Sequence, residues 1–169
     1  MKKYELVAGT EISFPGRTLF RIKALVAFGD VSAGELGGYV EKEENLDHDG
    51  NAWVYGNAWV YGDAWVSGDA MVCGDAEICG DAEVCSDADY TTVKGFGSQY
   101  RNTTFFRLKA AKGIGVKCGC FYGSLEEFRE KVKKTHGESR IAKEYLMLAD
   151  LMEYRFSEET KEEPKDEAD

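Results

Sequence analysis

The sequence predicts a mainly β protein with a stack of short strands at its centre, strand segments on either side and two helices near its C-terminal end. Three observations carry this reading. Residues 51–86 repeat with a period of six, one aliphatic position recurs in every repeat, and apolar residues change to helical spacing after Ser124. At 169 residues the chain has room for one domain or two small ones around a real core. It divides into strands over 1–50 that cap the stack, the repeat over 51–93, a hairpin with two helices over 94–156, and an acidic tail over 157–169.

In the N-terminal part, apolar alternation marks strands over 4–7, 11–14 and 17–25, with Pro15-Gly16 as a turn. The repeat then reads Asn51-Ala52-Trp53-Val54-Tyr55-Gly56, Asn57-Ala58-Trp59-Val60-Tyr61-Gly62 and Asp63-Ala64-Trp65-Val66-Ser67-Gly68. It continues from Asp69, Asp75 and Asp81, and a seventh unit starts at Asp87-Ala88-Asp89-Tyr90. Alternation puts Ala and Val or Ile on one face of each strand, and Trp, Met or Glu with Tyr, Ser or Cys on the other. Gly followed by Asn or Asp supplies the corner. A helix cannot use this pattern, because a period of six scatters Val54, Val60 and Val66 around its circumference.

The repeat resembles the hexapeptide-repeat family. Val54, Val60, Val66, Val72, Ile78 and Val84 hold the aliphatic position, and Ala58, Ala64, Ala70, Ala76, Ala82 and Ala88 the small one. The resemblance implies a left-handed parallel β-helix with about three hexapeptides per coil, so that residues eighteen apart stack at roughly 4.8 Å. Two full coils follow, 51–68 and 69–86, with partial coils around Val40 to Leu46 and at Tyr90 to Val93. A stack this short has open ends, so the flanking segments are expected to cap it.

Beyond the repeat, residues 103–108 and 115–121 read as a hairpin around Ala111-Lys112-Gly113. Ser124 with Glu127 makes a capping box, and Leu125, Phe128 and Val132 share one helical face. A second helix over about 140–156 places Ile141, Tyr145, Leu148 and Met152 at helical spacing. Residues 157–169, Pro164 included, lack apolar content and are expected to be disordered. The flanks, with Gly37-Gly38-Tyr39 ahead of the repeat and Cys118-Gly119-Cys120-Phe121 behind it, resemble small bacteriophage and prophage proteins, a resemblance that implies no particular activity.

Charge narrows the function. The net charge is −10, from nine acids against six bases over 1–50, eight against none over 51–89, seven against thirteen over 90–156, and seven against two over 157–169. Such a balance argues against direct nucleic-acid or anionic-membrane binding. No apolar run approaches the roughly 18 to 20 residues of a membrane helix, and no apolar segment of a secretory signal follows Met1-Lys2-Lys3. Five cysteines, with no zinc-finger spacing, suit the reducing cytoplasm of a bacterial host cell.

Hexapeptide-repeat enzymes include acyltransferases that use a coil-borne histidine, and this repeat has none. His48 reads as a solvated loop histidine between Asp47 and Asp49, and two histidines cannot make the three-histidine zinc site of related carbonic anhydrases. Cys73, Cys79 and Cys85 fall on three different faces of one coil and cannot converge on a metal; Cys118 and Cys120 share one strand face with nothing to complete a site. No catalytic residue, metal ligand or cofactor is expected. The outward positions are more informative: Trp53, Tyr55, Trp59, Tyr61 and Trp65 form an aromatic belt, and Asp63, Asp69, Asp75, Asp81 and Asp87 line the corners. These residues point to a non-enzymatic binding protein and to a homodimer or homotrimer, and the resemblance of the flanks implies a phage or prophage protein, most concretely one that inhibits a host nuclease or other antiviral defence protein. Two alternatives stand beside it. One is a nucleotide or small-ligand sequestering protein with phosphates on Arg101, Arg107 and Lys109; the other is a diverged acyltransferase.

Overall fold

The computed structural model describes residues 1–157 and is mainly β, with two C-terminal helices. The N-terminal layer is antiparallel: β3 (Arg17–Ala24) pairs with β1 (Tyr4–Leu6), with β2 (Ile12–Phe14) and with β4 (Leu36–Val40). The β2–β3 hairpin closes at Pro15-Gly16, where Phe14 faces Arg17. β4 then changes role, because its other edge pairs in parallel with the repeat, Tyr39 beside Trp59 and Val40 beside Val60.

The repeat forms six two-residue strands, β5 (Trp53–Val54), β6 (Trp59–Val60), β7 (Trp65–Val66), β8 (Met71–Val72), β9 (Glu77–Ile78) and β10 (Glu83–Val84). β5 pairs in parallel with β8, β6 with β9 and β7 with β10, and every register offset is eighteen residues. The rungs are backbone bonds, Trp53 N to Ala70 O at 3.0 Å, Trp59 N to Ala76 O at 2.9 Å and Trp65 N to Ala82 O at 2.9 Å. The six aliphatic residues are fully buried, as the alternation requires. Gly56, Gly62, Gly68, Gly74 and Gly80 hold positive φ at the corners, a conformation that a Cβ resists. Ahead of the repeat, Val40 pairs in parallel with Val60 and Leu46 makes a parallel bridge to Val66.

The partial coil expected at 90–93 is not formed. Residues Asp87–Asp89 make a short 3-10 turn, Ala88 is exposed, and the Asp89 carboxylate turns back to accept from Cys85 N and Ser86 N. That turn redirects the chain into an antiparallel sheet of β11 (Tyr90–Phe96), β12 (Arg101–Arg107), β13 (Ile114–Cys118) and β14 (Phe121–Ser124), in that order. β12 lies against the end of the stack: Ala82 bridges Leu108, and Phe106 enters the core of the coil. The opposite face of this sheet carries α1 (Leu125–His136) and α2 (Arg140–Arg155), packed through Phe128, Val132, Ala142, Tyr145, Ala149 and Met152. Ser124 and Ser139 cap the two helices through Glu127 N and Ala142 N. Among the described residues no helix is long and apolar enough to cross a membrane. Of the acidic segment expected over 157–169, only Ser157 falls within the described residues.

Candidate functional site

The aromatic belt is largely covered by the chain itself. Trp53 is 0% exposed, beneath Tyr4 and Phe28, whose rings meet it edge-on at 6.2 and 5.3 Å. Tyr61 is 6% exposed, with Phe14 edge-on at 5.5 Å and its hydroxyl on Glu77. Both residues were expected on an interaction surface and both belong to the core, because the N-terminal strands fold back over two faces of the coil. Trp59 keeps partial exposure with Phe14 stacked on it at 5.3 Å, Tyr55 is half-buried, and Trp65 is 36% exposed.

The corner carboxylates all remain at the surface. Asp69 accepts from Asn51 at 3.0 Å, Asp87 accepts from Met71 N at 2.7 Å, and Asp63 pairs with Lys42 at 3.2 Å. Asp75 and Asp81 are exposed. On the face of β6 and β9, Asp75 and Glu77 meet Trp59, Asn57 and Asn102 in a polar recess of about 420 Å³. This is where accessible parts of the belt and of the acidic corners coincide. Asn102, contributed by β12, was invisible to a reading confined to the repeat.

The three cations assigned to phosphate binding are not brought together. Arg107 is committed to Asp89 at 2.9 Å and to the Phe156 carbonyl, while Lys109 Nζ donates to the Asp63 carbonyl and its amide to Asp81 O. Lys109 therefore fastens the C-terminal sheet to the coil, and Arg107 fastens it to the 3-10 turn at Asp89 and to the end of α2. Arg101 lines a cavity with Lys131 and His136 at the far end of that sheet, whereas Arg107 lines a separate one with Glu83 and Asp89. Lys131 had no signal beyond being one lysine of a basic helix.

The remaining candidates are structural. His48 is not a solvated loop residue: it stacks on Tyr4 with 4.4 Å between ring centres, and its Nδ1 accepts from Lys3 N at 3.1 Å. Its proximity to Tyr4 follows from the same N-terminal strand that covers Trp53. Lys3 itself is buried, with Nζ on the Ala52 carbonyl at 2.9 Å, and burial pulls its pKa below the usual lysine range. Cys73 and Cys85 are exposed; Cys79 is buried, which pushes its thiol up to about 11. Among the described residues no group of three or more His, Cys, Asp or Glu is placed to hold a metal ion. Comparison with protein-family models and with curated proteins finds no match to this chain.

Proposed function

We propose that this is a non-enzymatic binding protein whose acidic coil engages a basic protein surface, with a Lys or Arg of the partner seated in the recess of Asn57, Trp59, Asp75, Glu77 and Asn102. The observation that carries the reading is the meeting of the exposed Asp75 carboxylate with a partly exposed indole in one recess, a combination suited to a cationic side chain, with Glu77 beside them already holding the Tyr61 hydroxyl and Lys117 Nζ at 3.8 Å. A rigid stack supports such a contact, since its corners are fixed by backbone ladders and need no ordering on binding. The coil itself we read as a left-handed β-helix of the hexapeptide-repeat kind. A host nuclease or another nucleic-acid-binding defence protein is the partner class this charge suits, and the phage setting comes with the resemblance of the flanks. A dimer or trimer would use the face of Met71 and Cys73, which the N-terminal strands leave exposed.

The test compares the wild-type protein with Asp63→Asn/Asp75→Asn/Asp81→Asn, both immobilised in host lysate. Nucleic-acid-binding proteins retained by the first and lost by the second are expected. Association with a retained partner should slow steeply with salt, as charges beyond about 10 Å are screened near 0.1 M. Identical retention by both proteins removes the acidic coil as the binding surface.

A further inference from the structure

The turns joining β11 to β12 and β13 to β14 lie side by side, and between them and the C-terminal half of α1 is a cavity of about 310 Å³. Its floor is apolar, from Phe96, Phe121, Phe128 and Val132. Its rim carries Arg101 from β12 and Lys131 and His136 from α1, with Tyr145 reaching it from α2. Among the described residues no Asp or Glu lines this cavity, although acids outnumber bases by 31 to 21 in the chain.

Arg101 keeps its charge uncompensated, as does Arg21, which meets only carbonyl oxygens, Tyr39 and Asn57. Arg17, Arg107, Arg129 and Arg140 each lie against a carboxylate. Arg101 instead donates through Nε and Nη2 to the side-chain oxygen of Gln99, a neutral partner that orients the guanidinium without cancelling its charge. The wall is shaped to admit these groups. A side chain at Gly119 would collide with Nη1 of Arg101, one at Gly97 would collide with the Tyr145 hydroxyl, and both glycines hold positive φ, 57° and 80°. The end of α1 brings about half a negative charge nearby, which the two full charges of Arg101 and Lys131 outweigh.

We propose that this cavity binds a small phosphorylated ligand with a flat apolar ring, the chemistry of a nucleoside monophosphate, its ring on the phenylalanine floor and its phosphate at Arg101, Lys131 and His136. The volume sits at the low end of the roughly 300–1,000 Å³ of small-ligand pockets, which suits one nucleotide rather than two. Cations on two elements, with the Ser98 and Thr135 hydroxyls beside them, suit an anion with several outward oxygens better than a flat carboxylate. Burial pushes the Tyr145 phenol up to about 12, so it remains a donor at neutral pH. The cavity shares no residue with the acidic recess, so it stands independently of the partner-binding reading.

Isothermal titration calorimetry with adenosine monophosphate, adenosine, inorganic phosphate and benzoate tests the assignment. The monophosphate should bind more tightly than the other three, and Arg101→Gln and Lys131→Gln should each weaken it about tenfold or more while leaving adenosine unchanged. Both side chains are exposed, so both variants should keep the wild-type circular dichroism spectrum. The triple Asn protein should bind the monophosphate as wild type does, which separates this site from the coil surface. Absence of monophosphate binding at millimolar concentration overturns the proposal, as does unchanged affinity in both variants. Equal affinity for adenosine removes the anion contact, and equal affinity for benzoate removes the phosphate.

Discussion

Phe105 and Phe106 are neighbours in the chain, both are 0% exposed, and they belong to different cores. Alternation along β12 sends Phe106 into the end of the coil and Phe105 against Phe128 of α1, with 6.0 Å between the latter pair's ring centres. One strand thus closes the stack and supports the helices. Phe106→Ala and Phe105→Ala should each cost about 3–5 kcal/mol in urea unfolding. A loss below about 1 kcal/mol for Phe106→Ala would mean that β12 does not seal the coil.

Inside the stack, Val60 lies between Val40 and Ile78, its register partners on either side. A carboxylate there has no donor to satisfy it. Val60→Asp should therefore cost about 3 kcal/mol or more, whereas Val60→Thr should be milder because one hydroxyl is less costly to bury. Equal midpoints for wild type and Val60→Asp in a urea titration would invert the assignment of inside and outside.

The period of six exposes the interior because every repeat places its aliphatic residue in the same surroundings, from Val54 to Val84. Helix caps are equally local, and Ser124 behaves as its neighbours in sequence require. Coverage of the belt is different in kind. Tyr4 and Phe28 lie far from Trp53 in sequence, and an outward tryptophan has the same local pattern whether or not a distant strand covers it. Tyr90 to Val93 likewise continue the alternation of the repeat, and only pairing with β12 decides that they run antiparallel. The cavity was the least legible feature, since Phe96, Arg101, Lys131 and Tyr145 come from four elements and share no spacing.

The buried and exposed tryptophans should be separable by quenching. In a Trp59→Phe/Trp65→Phe protein, Trp53 alone reports from beneath Tyr4 and Phe28, so its emission should be blue-shifted and resist acrylamide. In Trp53→Phe/Trp59→Phe the remaining Trp65, 36% exposed, should be readily quenched. Similar quenching in the two proteins would place Trp53 at the surface and restore it to the interaction belt.

Alkaline pH should unfold the protein through its tyrosines. Burial holds Tyr4, Tyr61, Tyr90 and Tyr145 above the ordinary phenol range, Tyr145 at about 12. In the unfolded chain a tyrosine ionises near pH 10. Above that pH the unfolded state releases protons that the folded state keeps, so stability falls as pH rises. The contribution is complete below about pH 10 and is lost through the folded values. Each tyrosine in that interval lowers stability by about 1.4 kcal/mol per pH unit. Urea titrations should give a level stability from pH 8 to 9.5 and a steep decline by pH 11, with Tyr145→Phe showing a shallower fall from a lower starting value. Absorbance at 295 nm should show part of the nine-tyrosine signal appearing only with loss of the far-ultraviolet dichroism. Ionisation of all nine while the native spectrum persists would mean that these phenols are not held protonated by the fold.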